Sequence, residues 1–435
     1  PGEVRLYTCG PTVYDFAHIG NFRTYLWEDL LRRYLKFRGH RVTQVMNLTD
    51  VDDKTIANAR AAGLSLEDYT RRYIGAFFED LDALGIERAE HYPRATAFIP
   101  DMVRLVQRLQ ENGHVYESRG SLYFKISSFP RYGRLSRLDA AAGAGQARID
   151  SDEYDKDNPR DFAVWKAPKD DEPFWQTEIG PGRPGWHIEC SAMSMKLLGE
   201  TFDIHTGGVD NIFPHHENEI AQSEAATDKP FVRFWMHAAH LIVEGEKMSK
   251  SKGNFFTLRD LVARGYDMRA IRFMLLSVHY RKPLNFTFEG LPQTQAALAR
   301  LDDLAGRLDQ AALVLSGEGG EPAARAKDRL QGMLEDLDSD LNTAGALGHL
   351  FEFVRETHTA LDTGQFGRRD LAAAREVLGA FERLFGIRPG QRVDLDAEIE
   401  ALIRRRVEAR ARKDFAEADR IRDDLLGRGI ILEDT

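Results

Sequence analysis

The chain has 435 residues, of which 43% are apolar and 29% charged, and these values exclude a single small module, a disordered protein and a low-complexity repeat. Its 59 basic and 69 acidic side chains give a net charge of -10, so a nucleic acid has to be bound by local basic patches rather than by the whole surface. The chain has only two cysteines, so we expect no disulfide scaffold. It has no long apolar run and no signal-peptide core, so we expect a cytoplasmic protein without a membrane partner.

The first fifty residues predict a βαβ unit. VRLYTCG alternates like a strand and breaks at Cys9-Gly10-Pro11, an amphipathic helix follows over 24–38, and a second strand covers 41–47. In such a unit the ligand crevice lies beyond the carboxyl ends of the strands, so we expect the chemistry near residues 9–21 and Thr49. Because no Met precedes Pro1, we also expect that an upstream segment is missing and that the first strand lacks a neighbour.

The rest of the chain predicts an interrupted sheet followed by helices. Helical patterns cover 65–84 and 99–112, and then short strands, an Ala/Gly-rich run and mixed charges indicate an insertion. Strand–helix alternation resumes over 186–240, so the parallel sheet is predicted to be split in sequence and continuous in space. Beyond Leu291, apolar residues at helical spacing predict a bundle, as at Leu330, Leu334, Leu337 and Leu341, and a last helix carries Phe415, Ala418, Ile421 and Leu425 on one face.

Two segments are candidates for binding a nucleoside triphosphate. His18-Ile19-Gly20-Asn21 lies between a strand and a helix, where the helix dipole and free N–H groups favour phosphate. Lys247-Met248-Ser249-Lys250-Ser251 places ammonium groups on a loop that can neutralise a triphosphate. A helix-capping turn and a solvated basic loop are the alternatives for each segment alone, and the pair makes them less probable.

Four candidate metal ligands are spread over the chain: Cys9, Cys190, His215 and Glu219. If Pro214 begins a helix, His215 and Glu219 share one face, and two thiolates, an imidazole and a carboxylate suit Zn²⁺. Two buried structural cysteines remain an equal alternative. A zinc peptidase is disfavoured, because the HExxH pattern would need a histidine where Ile220 stands.

A turn after a predicted strand offers further pocket residues. In DIHTGGVD, Gly207-Gly208 permits close approach of a ligand to the backbone and Asp210 can accept hydrogen bonds from a ribose. His205 and Trp186 are candidates for lining a small pocket, although each alone is more often a packing residue.

Five stretches together resemble the cysteinyl-tRNA synthetase family of class I aminoacyl-tRNA synthetases: YTCGPTVYDFAHIGNFRTY, NLTDVDDK, GWHIECSAMS, HTGGVDNIFPHHENEIAQSEA and KMSKSKGN. The resemblance covers nearly the whole chain. It implies an α/β fold, with a Rossmann-type parallel sheet, an inserted connective domain, a helical bundle and a small C-terminal anticodon-binding unit. The implied domains are 1–114 and 176–245 (catalytic halves), 115–175 (connective insertion), 246–290 (KMSKS loop and stem-contact segment), 291–388 (tRNA-binding bundle) and 389–435 (anticodon-binding unit).

The resemblance also implies an activity and assigns residues to it. The enzyme would join L-cysteine to tRNA(Cys) through cysteinyl-adenylate, using ATP with Mg²⁺, and would be a monomer. One Zn²⁺ would be held by Cys9, Cys190, His215 and Glu219 and would recognise the thiolate, with Thr49, Trp186 and His205 around the cysteine. ATP would contact Gly10, His18, Gly20, Asn21, Gly207, Gly208, Asp210, Lys247 and Lys250, of which His18, Asn21, Lys247 and Lys250 are the catalytic set.

Two departures and two rival functions qualify this assignment. Asn21 stands where many class I enzymes have His, and the chain ends at LEDT where relatives often continue with a basic tail. A ligase that joins cysteine to an aminosugar resembles the catalytic half, but it is not expected to carry an anticodon unit such as the one predicted from the nine Lys or Arg between residues 401 and 428. A noncatalytic tRNA-binding or zinc-structural paralogue is disfavoured by the intact His18, Lys247 and Lys250.

Overall fold

The computed structural model describes residues 2–137, 160–169, 172–315 and 317–390 and, nearer the C-terminus, 402, 405–406, 409, 412 and 414–427. These residues belong to two compact units, one formed by 1–257 with 275–286 and the other by 258–274 with 287–435. Within the described part, no helix combines the length and the apolar character that crossing a membrane requires.

The first unit alternates strands and helices. In chain order its elements are β1 (Glu3–Thr8), α1 (Ile19–Phe37), β2 (Arg41–Met46), α2 (Asp53–Ala61), α3 (Leu66–Ala83), α4 (Ile99–Glu111), β3 (Val115–Ser118), β4 (Ser121–Phe124), β5 (Phe162–Lys166), β6 (Arg183–Pro184), α5 (Trp186–Leu198), β7 (Phe202–Gly208), α6 (Glu217–Thr227), β8 (Val232–Ala238), β9 (Leu241–Val243), β10 (Glu246–Lys247) and β11 (Leu284–Phe286).

A four-stranded parallel sheet with the order β2-β1-β7-β8 positions the site. The expectation that the first strand lacks a neighbour is wrong, because β1 pairs with β2 on one side and with β7 on the other, where Leu6 lies opposite Ile204. The partner on that side comes from beyond the insertion, about 200 residues later in the chain. The chain leaves β1 towards β2 and leaves β7 towards β8, so the sheet reverses its strand order between β1 and β7, where ligands of open α/β sheets bind.

Helix α1 begins five residues earlier than its apolar spacing predicts. His18 is its N-cap: the His18 ring accepts a hydrogen bond from the Asn21 N–H, and the Asn21 side chain accepts one from the His18 N–H. This reciprocal cap satisfies donors that the first turn leaves free. One face of the helix, including Phe22, Leu26 and Leu30, is buried.

The predicted insertion, 115–175, supplies β3, β4 and β5 of a second, antiparallel sheet with the order β3-β4-β5-β6, and β6 lies after the predicted end of the insertion. Its Ala/Gly-rich run, residues 140–147, lies outside the described residues. The segment before that run is held by Glu217 of α6, whose buried carboxylate accepts the N–H groups of Gly133 and Ser136 at 2.7 and 2.8 Å. The Glu217 carboxylate thus holds this part of the insertion against α6, the helix that carries Glu219.

The second unit is helical, with α7 (Leu258–Ala263), α8 (Met268–Leu276), α9 (Gly290–Val314), α10 (Glu321–Asp338), α11 (Thr343–Asp362), α12 (Arg368–Phe385) and α13 (Phe415–Gly427). The apolar spacing after Leu291 correctly predicts a bundle, but Leu341 lies past the end of α10, in a turn with a positive φ of 54°. In α13 the predicted face is buried at Ala418, Ile421 and Leu425. Most of the predicted anticodon-binding unit, 389–435, lies outside the described residues.

Candidate active site

The structure brings the four candidate metal ligands together. Cys9 follows the end of β1, Cys190 lies on α5, His215 lies in a wide helical turn over Ile212–His216, and Glu219 lies one turn later on α6. One donor atom from each of the four residues lies within 4.8 Å of the other three. Three of the side chains are buried and Cys9 is half-buried. Because Cys9 directly follows β1, the donors meet near the carboxyl end of that strand.

The donor set fits a soft divalent cation. The Glu219 carboxylate is fully buried, and its Oε1 lies 3.1 Å from His215 Nε2 but accepts no hydrogen bond of acceptable geometry from any described residue. A buried carboxylate oxygen in this state is costly unless a positive charge compensates it. Two sulfur atoms and one imidazole nitrogen around that oxygen are ligands that Zn²⁺ prefers.

The protein groups alone hold both thiols in the protonated form. The hydrogen bond to Cys190, and then burial, raise the pKa of Cys9 well above its usual range. The same bond lowers the pKa of Cys190, but burial and the Glu219 charge outweigh it, and the pKa is raised. Burial lowers the pKa of His215 well below its usual value, which keeps a lone pair available on the neutral ring. A bound cation would reverse the direction for the thiols, because ligation requires the thiolate.

A layer of histidines surrounds these ligands. His205 Nε2 lies 3.0 Å from Glu219 Oε2, and His187 Nδ1 lies 2.9 Å from His215 Nδ1. His216 connects Cys9, with 3.2 Å between Nε2 and Sγ, to a further histidine of β8, His237, with 2.8 Å between their ring nitrogens. We did not predict His187, His216 or His237 as pocket residues. In the sequence, His187 and His216 stand beside predicted site residues, in WHIEC and PHHE, whereas His237 lies in WMHAAH, where no site residue was predicted.

These contacts create a second possible donor set. Cys9, His205, His216 and Glu219 also offer donor atoms within 4.8 Å of one another. The two sets share Cys9 and Glu219, so both cannot be filled independently. The first set has two sulfur donors where the second has one, which favours the first for zinc.

The three predicted cysteine-pocket residues lie in different environments. Trp186 is partly exposed and stacks on the His215 ring, with centroids 4.2 Å apart. Thr49 is buried and donates a 3.1 Å hydrogen bond to Glu189, whose own pKa is raised well above its usual range by burial. His205 is fully buried behind Glu219, so it contacts a ligand side chain of the first donor set. Sequence reasoning missed Glu189, although it directly precedes Cys190.

The predicted ATP-binding glycines lie where backbones approach closely. A Cβ on Gly10 would fall 1.8 Å from the carbonyl oxygen of Asn47, so no larger residue fits at the end of β1. A Cβ on Gly20 would meet the His18 ring at 3.0 Å and the Met248 side chain at 3.2 Å. The second of these contacts brings the two predicted triphosphate-binding segments side by side.

The other predicted nucleotide contacts lie along the same edge of the sheet. Gly207 and Gly208 end β7, and Asp210 follows in the next turn. Burial lowers the pKa of His18 to about 4, although the nearby Asp210 charge raises it. A neutral His18 at the start of α1 can donate one hydrogen bond to a phosphate or ribose oxygen.

The lysine-rich loop lies against the start of α1. Lys247 ends β10 and is exposed. Lys250 forms an ion pair with Asp15, a residue that we did not single out in the sequence. The loop then returns to the first segment, where the Ile19 N–H donates to the Phe256 carbonyl at 3.0 Å and His18 packs edge-on against Phe255.

Comparison with known families accounts for most of the chain. The family described as tRNA synthetases class I (C) catalytic domain matches residues 1–296. A DALR domain matches 332–387 and a cysteinyl-tRNA ligase anticodon binding domain matches 392–435. The aminosugar-ligase alternative was not expected to carry this last domain.

Curated proteins of high similarity carry one name. The chain is 54% identical to cysteine--tRNA ligase of Solibacter usitatus over 99% of this chain and 93% of that protein. It is 48% identical to cysteine--tRNA ligase of Chlamydia muridarum, with the same coverage of both chains.

Solved structures of class I synthetases share the fold. Mycobacterium tuberculosis methionyl-tRNA synthetase in complex with methionyl-adenylate has a TM-score of 0.70 at 16% identity, over 89% of this chain and 92% of that chain. An Agrobacterium radiobacter LeuRS in a ternary complex with tRNA and LeuAMS has a TM-score of 0.66 at 11% identity, over 89% of this chain and 84% of that chain. The predicted fold class and family are both confirmed: the chain belongs to the cysteine--tRNA ligase family of class I aminoacyl-tRNA synthetases and is an enzyme of that class.

Proposed function

We propose that the chain activates L-cysteine with ATP to form cysteinyl-adenylate and pyrophosphate, and then transfers the cysteinyl group to a ribose hydroxyl of tRNA(Cys). The observation that carries the choice of amino acid is the convergence of Cys9, Cys190, His215 and Glu219 within 4.8 Å beside Thr49 and Trp186. These four side chains would hold Zn²⁺, which supplies a Lewis acid that binds a thiolate far better than a hydroxyl.

The remaining chemistry needs positioning and charge rather than a nucleophilic side chain. The cysteine carboxylate attacks the α-phosphate of ATP, whose Mg²⁺ complex is the substrate, and pyrophosphate leaves. His18, Gly20 and Asn21 lie at the start of α1, where backbone N–H groups favour phosphate, and Gly10 lies just after β1. Lys247 and Lys250 would neutralise the charge that builds on the leaving phosphates. Gly207, Gly208 and Asp210 would hold the nucleoside.

The pocket residues have separate tasks in this proposal. Trp186, stacked on His215, covers one side of the cysteine, and Thr49 offers a hydroxyl whose orientation Glu189 fixes. His205 holds Glu219 in place through its Nε2. The helical bundle and the C-terminal unit would bind the tRNA. The monomeric state and the cytoplasmic location stay predictions.

Aminoacylation of purified tRNA(Cys) with cysteine and with serine, side by side, tests the proposal. We expect charging with cysteine at least about 1,000-fold more efficient than with serine, because a hydrophobic pocket alone separates close analogues by only about 10- to 200-fold. Charging of both amino acids at similar efficiency would contradict the role of the metal ligands. Absence of cysteine-dependent pyrophosphate exchange would contradict the adenylate step.

A further inference from the structure

An ion pair joins the two segments that the proposed function places on the ATP phosphates. Lys250 Nζ lies 2.5 Å from Asp15 Oδ2 and also sits 5.0 Å from the centre of the Phe255 ring. Asp15 lies three residues before His18, in the segment between β1 and α1. The hydrogen bond with Asp15 raises the pKa of Lys250, so the Lys250 ammonium group keeps its charge at neutral pH.

The carboxylate of this pair is fixed by its own segment. The other Asp15 oxygen accepts the Phe16 N–H at 2.8 Å. The neighbouring Tyr14 carbonyl accepts a 2.8 Å hydrogen bond from the Tyr69 hydroxyl of α3, and the Phe16 ring packs edge-on against Tyr73 of the same helix. Asp15 therefore presents its carboxylate from a backbone that two neighbouring residues hold against α3.

The ammonium group is held less firmly. The loop is anchored after its tip by the contacts of Phe255 and Phe256 with the start of α1. At the tip, Lys250 lies in a single turn over Lys250–Lys252, and 62% of its side chain is exposed, against 34% for Asp15. A triphosphate arriving from solvent can therefore reach Lys250 and take over its charge without unfolding the anchor.

We propose that Asp15 is a positioning residue for Lys250: its carboxylate binds the ammonium group while no nucleotide is bound and yields it to the phosphates when ATP binds. The inference rests on the proposed contact of Lys250 with ATP. Asp15 then competes with ATP for the Lys250 ammonium group, so part of the free energy of ATP binding is used to break the ion pair. Once ATP is bound, the competition is over and the chemical step no longer depends on Asp15.

The competition has a kinetic signature. An exposed ion pair changes an equilibrium by at most about fivefold, so Asp15→Asn should lower the KM for ATP about two- to fivefold in cysteine-dependent pyrophosphate exchange. The kcat should change less than about twofold. The lost ion pair exists only in the enzyme without ATP, so its removal does not change the free-energy difference between the ATP complex and the transition state. Asp15→Glu should retain the wild-type KM. If Asp15 had a purely structural role, Asp15→Asn would instead lower kcat, or would leave both the KM for ATP and the kcat at their wild-type values.

The matched control is the other ion pair of the same loop. Lys252 Nζ lies 2.8 Å from Glu246 Oε2, and both side chains are exposed. Glu246→Gln removes an acidic charge from the loop without touching Lys250, so its KM for ATP should match that of the wild type. A decrease equal to that of Asp15→Asn would show a general charge effect and would overturn the inference.

The decisive experiment compares Asp15→Asn in the wild-type and Lys250→Gln backgrounds. We expect the decrease in the KM for ATP to shrink below about 1.5-fold when Lys250 is absent. The same decrease in both backgrounds would mean that Asp15 repels the phosphates directly, and an unchanged or raised KM in the wild-type background would also overturn the inference. If Lys250→Gln alone leaves KM and kcat unaltered, the proposed function of Lys250 fails; if it is impaired but Asp15→Asn has no effect, only the inference fails.

Discussion

The hydroxyl of Thr206 on β7 donates a 2.7 Å hydrogen bond to the carboxyl group of Glu28 on α1. Glu28 is fully buried, and its other oxygen accepts no hydrogen bond from a described residue. Burial therefore raises the pKa of Glu28 to about 8, although the Thr206 hydrogen bond lowers it. An acid of this kind is protonated in the folded protein at a pH where it is ionised in the unfolded chain.

This difference predicts a pH-dependent stability. The folded state keeps a proton that the unfolded state loses above the ordinary pKa of 4.5, so the contribution of Glu28 is complete below that pH and is lost as the pH rises towards 8. The slope is at most about 1.4 kcal/mol per pH unit. We expect the melting temperature of Glu28→Gln, minus that of the wild type, to be larger at pH 8 than at pH 5 in thermal unfolding.

The control for this prediction is Glu67→Gln on α3. Glu67 is exposed and paired with Arg71 on the helix surface, so its replacement should shift the melting temperature by the same small amount at both pH values. An equal difference between Glu28→Gln and the wild type at pH 5 and pH 8 would show that the Glu28 carboxyl is not protonated in the folded state.

The buried pair Thr49–Glu189 predicts a specific loss in cysteine binding. Thr49→Val keeps the shape of the side chain but removes the hydroxyl that Glu189 binds at 3.1 Å. Loss of one buried hydrogen bond costs about 0.5 to 1.5 kcal/mol, so the KM for cysteine should rise about 3- to 10-fold in pyrophosphate exchange. Thr49→Ser retains the hydroxyl and should remain within about twofold of the wild type. Equal KM values for the Val and Ser variants would remove Thr49 from the pocket.

His205 separates the two possible donor sets. If the metal uses Cys9, Cys190, His215 and Glu219, His205 acts only by holding Glu219, and His205→Gln should weaken zinc affinity by about 10- to 100-fold. We would measure the zinc retained by the folded protein against increasing chelator concentration, with Cys190→Ser as the comparison. Zinc loss as severe in His205→Gln as in Cys190→Ser would favour the set that contains His205 and His216.

The parts of the site that sequence patterns predict are those carried by local motifs. The turn at Cys9-Gly10, the position of His18 between a strand and a helix, and the spacing of His215 and Glu219 each depend on residues close in the chain. Their patterns reflect one strand end, one helix start and one helix face. The residues alone left a shared metal site for Cys9 and Cys190 equal to the alternative of two structural cysteines, because no local rule relates residues 181 positions apart, and the family resemblance implied the shared site.

The contacts that escaped prediction join elements that are distant in sequence. His187, His216 and His237 lie on α5, on the turn before α6 and on β8, and their ring contacts arise only when the sheet aligns those elements. Asp15 pairs with a lysine 235 residues away. The central position of β1 was missed for the same reason, since its second neighbour, β7, lies beyond the insertion.

Zinc stoichiometry of the purified protein tests the central claim most directly. Elemental analysis of the active wild type should give about one zinc per chain, and Cys190→Ser, which removes one of two sulfur donors, should lose the metal together with cysteine-dependent pyrophosphate exchange. A zinc-free wild type that still activates cysteine and rejects serine would contradict the account.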